Sequence, residues 1–123
     1  MPVLTLSDAV PFEMHGSHFL SYVSSSKGSS QLCAWQLTIP AGLRGVAHRP
    51  TRDEVMLILD GELKVTLDGA ASVLHRSDVV LVPAGSELRV DAGPAGATGW
   101  MTTTPGLQAV TADGTRLSPP WAQ

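Results

Sequence analysis

Val55-Met56-Leu57-Ile58-Leu59-Asp60-Gly61-Glu62-Leu63-Lys64-Val65-Thr66-Leu67-Asp68-Gly69 is the stretch that decides the fold class. Val55 to Leu59 is an unbroken apolar run of strand length, the pattern of a buried strand. Asp60-Gly61 suits a tight hairpin turn. Leu63, Val65 and Leu67 then alternate with Glu62, Lys64 and Thr66, the period of two that marks a half-buried strand, and Asp68-Gly69 repeats the turn signal. Upstream, Gln31 to Ile39 reads as a strand ended by Pro40-Ala41-Gly42, after a polar loop from Ser24 to Ser30. Downstream, Ser72 to Leu74 and Val79 to Val82 flank the polar corner Arg76-Ser77-Asp78. Pro83-Ala84-Gly85 turns the chain into Glu87 to Asp91. Asp91 to Gly96 reads as a loop, and Thr98 to Thr104 as a further strand. Short strands with turns about every eight to twelve residues predict an antiparallel sandwich or barrel with little helix.

Composition agrees. Twelve glycines and nine prolines punctuate 123 residues, leaving few uninterrupted helical stretches. Hydrophobic residues make up 43% of the chain and charged ones 15%, which excludes disorder and is enough for one core in a single domain, 1–123. Within it, residues 1–12 read as an N-terminal arm and 115–123 as an extended tail. Trp121 is expected to dock on the body, because a free Trp exposes a large apolar surface. Eight Lys and Arg against eleven Asp and Glu give a net charge of −3 with no basic run, so a nucleic-acid partner is not expected. No apolar stretch approaches bilayer length, and no membrane partner is expected. The first residues lack the basic flank and long apolar run of a secretory signal. Cys33 is the single cysteine and sits in an apolar run, as a small core residue; with no intrachain disulfide possible, a cytoplasmic setting is expected.

Gly42 to Gly61, Gly-Leu-Arg-Gly-Val-Ala-His-Arg-Pro-Thr-Arg-Asp-Glu-Val-Met-Leu-Ile-Leu-Asp-Gly, resembles the first motif of the cupin superfamily: Gly, five residues, His-x-His, three or four residues, Glu, six residues, Gly. Gly42, His48, Glu54 and Gly61 match, and Pro50 stands where the second histidine would be. Ser77 to Leu88 resembles the second motif: Gly, five residues, Pro-x-Gly, two residues, His. Pro83 and Gly85 match, Ser77 replaces the Gly, and Leu88 replaces the histidine. The resemblance implies a jelly-roll barrel (a double-stranded β-helix) with a pocket at one mouth, often assembled as a homodimer. In metal-binding cupins three histidines and a glutamate hold the ion. Here only His48 and Glu54 keep a ligating atom at those positions, so no cofactor is expected. The alternative is a divergent metalloenzyme, a dioxygenase or isomerase, holding a divalent transition metal with His48, Glu54 and either His15 or His18.

Without a metal, an imidazole and a carboxyl in an apolar barrel remain chemically useful. Burial raises a carboxyl pKa and lowers that of a histidine, while mutual attraction opposes both. Such a pair can be poised near neutrality for general acid–base work, and the cost of burying it predicts that the two hydrogen-bond each other. His48 and Glu54 are thus the catalytic candidates, for an isomerase, cyclase or lyase acting on a small organic molecule. Met56 and Ile58 share the Glu54 face by alternation, Leu88 and Val90 line the opposing strand, and Trp35 and Trp100 complete the ligand-binding set. Arg44, Arg49, Arg52 and Arg89 are placed near the mouth. Glu87 and His75 are expected to face away. A non-enzymatic ligand-sensing module is the reading from a different class.

Overall fold

The structure, a computed structural model, describes residues 3–123. Ten strands form it: β1 Val10–Met14, β2 Ser17–Val23, β3 Cys33–Ile39, β4 His48–Pro50, β5 Glu54–Leu67, β6 Ala70–His75, β7 Val79–Val82, β8 Leu88–Thr103, β9 Ala109–Thr111 and β10 Arg116–Leu117. Helix is confined to single 3-10 turns at Leu6–Asp8, Ser25–Lys27 and Pro120–Ala122. Among the described residues, no helix is long and apolar enough to cross a membrane. All strand pairs are antiparallel, and the sheet curls on itself into two packed layers.

β5 and β8 run through both layers and hold them together. Their outer halves pair from Val55 with Thr102 to Gly61 with Ala97, inside a layer ordered β1, β2, β3, β8, β5, β7. Their other halves pair from Leu63 with Ala92 to Leu67 with Leu88, inside a layer ordered β10, β9, β4, β8, β5, β6.

The crossing corrects two sequence expectations. Asp60-Gly61 is not a hairpin turn; the strand continues through it, with register shifts between Ile58 and Asp60 and between Gly61 and Leu63. Asp91 to Gly96 is likewise strand rather than loop. Gly61 and Gly96 both take positive φ, 81° and 71°, and a Cβ on Gly61 would lie 2.1 Å from the Gly96 carbonyl oxygen. A bulge and a tight turn both use a left-handed glycine, so the dipeptide marks a bend without saying whether the chain reverses.

The arm is also shorter than expected. Met1 and Pro2 lie outside the described residues, and β1 begins at Val10, pairing with β2. Phe12 and Met14 pack on the core, and Pro11 is tolerated because β1 is an edge. At the other end, β10 and the turn Pro120–Ala122 lay the tail along the body. Trp121 stacks on Phe19 with centroids 3.6 Å apart and planes at 6°, and meets Trp35 edge-on at 6.5 Å. Ser21 Oγ donates to the Trp121 carbonyl at 2.6 Å. One hydrophobic cluster fills the space between the layers, including Cys33, whose thiol burial pushes up in pKa.

Candidate functional site

A cavity of about 210 Å³ opens between the layers. β5 contributes Glu54 and Met56 to its wall, β3 Trp35, β8 Leu88, Val90 and Met101, and β4 His48 and Pro50. Most of the remaining wall is apolar, supplied by β2, the loop before β4 and the tail.

Glu54 faces inward because its neighbour is fixed outward. Asp53 Oδ1 accepts from the Ala84 amide at 2.7 Å, and the Asp53 carbonyl accepts from Thr103 Oγ1 at 2.7 Å. Alternation then sends Glu54, Met56 and Ile58 inward and Val55 and Leu57 outward. The Glu54 side chain is only 5% exposed, and no hydrogen bond to its carboxyl occurs among the described residues. Desolvation alone pushes its pKa from 4.5 to about 7. Trp35, on the same wall, buries its indole Nε1 without a partner.

His48 is positioned by the loop before β4. Gly45 in that loop lies against β8 so closely that a Cβ would meet the Val90 carbonyl oxygen at 2.1 Å. The Gly45 amide donates to Asp91 Oδ1 at 3.0 Å, and Arg89 Nε donates to the same oxygen at 3.1 Å. Desolvation opposes ionisation of Asp91, but these donors and Arg44 together hold its carboxyl below the usual range. One residue beyond Gly45, the Val46 carbonyl lies 2.9 Å from His48 Nδ1. A carbonyl only accepts, so Nδ1 carries the hydrogen and Nε2 of the neutral ring carries the lone pair. The expected hydrogen bond between His48 and Glu54 is absent among the described residues; the hydrogen bond that His48 does make runs from Nδ1 to the Val46 carbonyl.

Trp35, Met56, Leu88 and Val90 share the cavity wall with His48 and Glu54. Ile58 and Trp100 do not. Ile58 is buried but lies where β5 bends toward the second layer, away from the cavity surface. Trp100 falls on the outward parity of β8: Met101 pairs with Trp35 inside, while Trp100 meets Tyr22 at 5.4 Å outside. Sequence could not set this parity, because both faces of Thr98 to Thr104 carry large apolar residues. His15 lines the cavity from the β1–β2 turn, with φ of 50°. His18 stands outside, 3.8 Å from Glu13. Of the four arginines, Arg44 reaches the wall; Arg49 lies 3.5 Å from Glu87, and Arg89 is engaged by Asp91. Arg52 lies beside Gly106. His75 is exposed between Glu62 and Asp78. Sequence reading missed the contributions of Phe19, Gln108, Thr111 and the tail residues Leu117, Pro119 and Trp121. Trp121 following two prolines was the one available signal for the last group.

The four positions that the cupin resemblance assigns to metal ligands, His48, Pro50, Glu54 and Leu88, converge on this one cavity, with His48 and Leu88 directly opposite in register. Pro50 and Leu88 offer no side-chain donor. Among the described residues, no three of His, Cys, Asp and Glu gather closely enough to hold a metal ion. Neither His15, on the same cavity wall, nor His18, outside it, joins His48 and Glu54 in such a group.

Solved structures resemble the chain over most of its length. An RmlC-like cupin from Shewanella frigidimarina is 21% identical with a TM-score of 0.71, covering 81% of this chain and 86% of that one. The polyketide cyclase RemF from Streptomyces resistomycificus is 12% identical with a TM-score of 0.74, covering 87% and 83%. Streptomyces PAC13 in complex with uridine is 13% identical with a TM-score of 0.71, covering 85% and 82%. No protein-family model matches the sequence, and neither does any curated protein. The chain has the cupin fold.

Proposed function

We propose that the barrel binds a small, largely apolar organic molecule and that Glu54 serves it as a metal-free acid–base group. One observation carries the reading: a carboxyl without a protein partner is held in an apolar cavity that opens to a ligand. Burying such a group costs several kcal/mol, a cost that a ligand able to exchange a proton or hydrogen bond with it offsets. The cavity volume of about 210 Å³ supports a ligand of one ring with a few substituents, since an apolar cavity of about 150 Å³ holds benzene. A carboxyl that titrates near neutrality holds both its forms in useful amounts. As the carboxylate it takes a proton from carbon beside a ligand carbonyl, and the electron pair moves to the carbonyl oxygen. Returning the proton to another atom of the same ligand completes an isomerisation with all atoms balanced. His48, with Nδ1 fixed, offers Nε2 to a ligand hydroxyl or, when protonated, donates to the enolate oxygen. That the fold also occurs in a polyketide cyclase and in a protein crystallised with uridine accords with ring-sized ligands.

Deuterium incorporation into acetophenone in heavy water, followed by proton NMR, tests this without knowledge of the natural substrate. Exchange above the buffer rate that disappears in Glu54→Gln and falls in His48→Ala is expected. Exchange identical in wild type and Glu54→Gln refutes Glu54 as the base. Saturable binding with no exchange marks a ligand-binding module instead.

A further inference from the structure

Among the described residues, Glu54 is the one acidic residue on the cavity wall and Arg44 the one arginine or lysine. Arg44 is exposed, at the rim, on a segment pinned to β8. The Gly42 amide donates to the Gly93 carbonyl at 3.1 Å, the Ala92 amide to the Leu43 carbonyl at 2.8 Å, and the Gly45 amide to Asp91 Oδ1 at 3.0 Å. The β1–β2 turn closes on the same segment: a Cβ on Gly16 would lie 3.3 Å from Leu43 Cδ1, which sets His15 on the adjoining part of the rim. The neighbouring arginines are engaged. Arg49 donates to the Gly85 carbonyl at 2.8 Å and lies 3.5 Å from Glu87, and Arg89 Nε donates to Asp91 Oδ1 at 3.1 Å. The side chain of Arg44 makes no hydrogen bond or ion pair among the described residues. Nor does that of Lys64, which borders the same outer cleft as Arg44.

We infer that the ligand is a ring-bearing organic acid with a single carboxylate, which the Arg44 guanidinium binds at the rim while the ring fills the apolar cavity toward Glu54. This rests on the reading of the barrel as a site for a ring-sized molecule, and it supplies that molecule's charged end. The planar fork of a guanidinium matches a carboxylate with two parallel hydrogen bonds. A pinned backbone leaves less to order when they form. Charge decides the class. The chain carries a net −3, so an anion is drawn in only where the local field is reversed, and the unpaired Arg44 and Lys64 reverse it on this side of the mouth. A phosphate with nearly two charges would call for a second fixed cation on the cavity wall, and among the described residues the wall holds none. A dicarboxylate would set its second charge against apolar wall or Glu54. The volume of about 210 Å³ leaves room for one ring beneath the carboxylate.

Titration of the nitrogen-15-labelled wild type with benzoate and with benzamide, its neutral counterpart of the same shape, tests this at pH 7 through the shifts of amide and indole signals. Benzoate is expected to bind about tenfold more tightly than benzamide, the worth of a charge-assisted pair. Arg44→Gln should abolish that preference by weakening benzoate. Arg44→Met, which keeps the stem and no donor, should do the same and stands in if Arg44→Gln does not fold; a dispersed spectrum reports the folding of each. A wild type that binds benzamide and benzoate equally overturns this inference alone and leaves the apolar site standing. A preference that survives in either folded variant overturns it too. Binding of neither probe overturns the ring-sized site and this inference together. Should both variants unfold, the wild-type preference alone still decides the class of ligand.

Discussion

Replacing Glu54 by Gln keeps the size of the side chain and removes its titration, which isolates the cost of burying the carboxyl. Its pKa stands at about 7 in the folded chain against an ordinary 4.5. At about 1.4 kcal/mol per tenfold change in proton affinity, the difference corresponds to about 3 kcal/mol. The sign follows from which state holds the proton. Below pH 4.5 both folded and unfolded chains keep it, and the group has no effect on stability. Between 4.5 and 7 the unfolded chain ionises while the folded chain does not, so stability falls by about 1.4 kcal/mol per pH unit. Above 7 both are ionised and the loss is complete. Urea unfolding of wild type and Glu54→Gln at intervals from pH 4.5 to 8 measures this directly. The two chains are expected to be nearly equal at the acid end, with the variant about 3 kcal/mol more stable at pH 8, a midpoint shift of about 1–3 M urea. A difference that stays constant across the range refutes the reasoning, since it means that the carboxyl is solvated.

Other expectations follow from the packing. Gly61→Ala places a methyl group 2.1 Å from the Gly96 carbonyl at a positive φ, and should destabilise by about 4 kcal/mol in thermal or urea unfolding. Trp121→Ala removes the stack on Phe19 and part of the cavity wall, and should cost about 3–5 kcal/mol by the same measurement. The double variant Pro50→His, Leu88→His adds two imidazoles to the cavity that holds His48 and Glu54. It should retain about one equivalent of zinc or nickel in elemental analysis after dialysis, where the wild type retains almost none.

The fold was legible wherever one face is polar and the other is not. Leu63, Val65 and Leu67 alternate with charged and hydroxyl neighbours, and the paired motif positions bring His48, Glu54 and Leu88 to one cavity. What stayed hidden depends on geometry that local chemistry leaves open. Asp60-Gly61 signals a left-handed backbone but not whether the strand reverses or bulges. Val10 to Met14 carries a proline, which fits either an edge strand or no strand at all, and only the strand order, with β1 at its end, decides between them. Trp100 and Met101 are both large and apolar, so a one-residue change of parity decides which of them meets a ligand. The hydrogen bond that holds His48 Nδ1 goes to a carbonyl two residues away, an acceptor that every residue possesses.

The most direct test is a titration of the Glu54 side chain itself, by carbon-13 NMR of protein labelled at the glutamate carboxyl carbons. The signal absent from Glu54→Gln should titrate with a midpoint at about pH 7 in the empty barrel, and move when a ligand binds. A midpoint near 4.5 that ligand leaves unchanged would contradict an enclosed carboxyl serving the cavity.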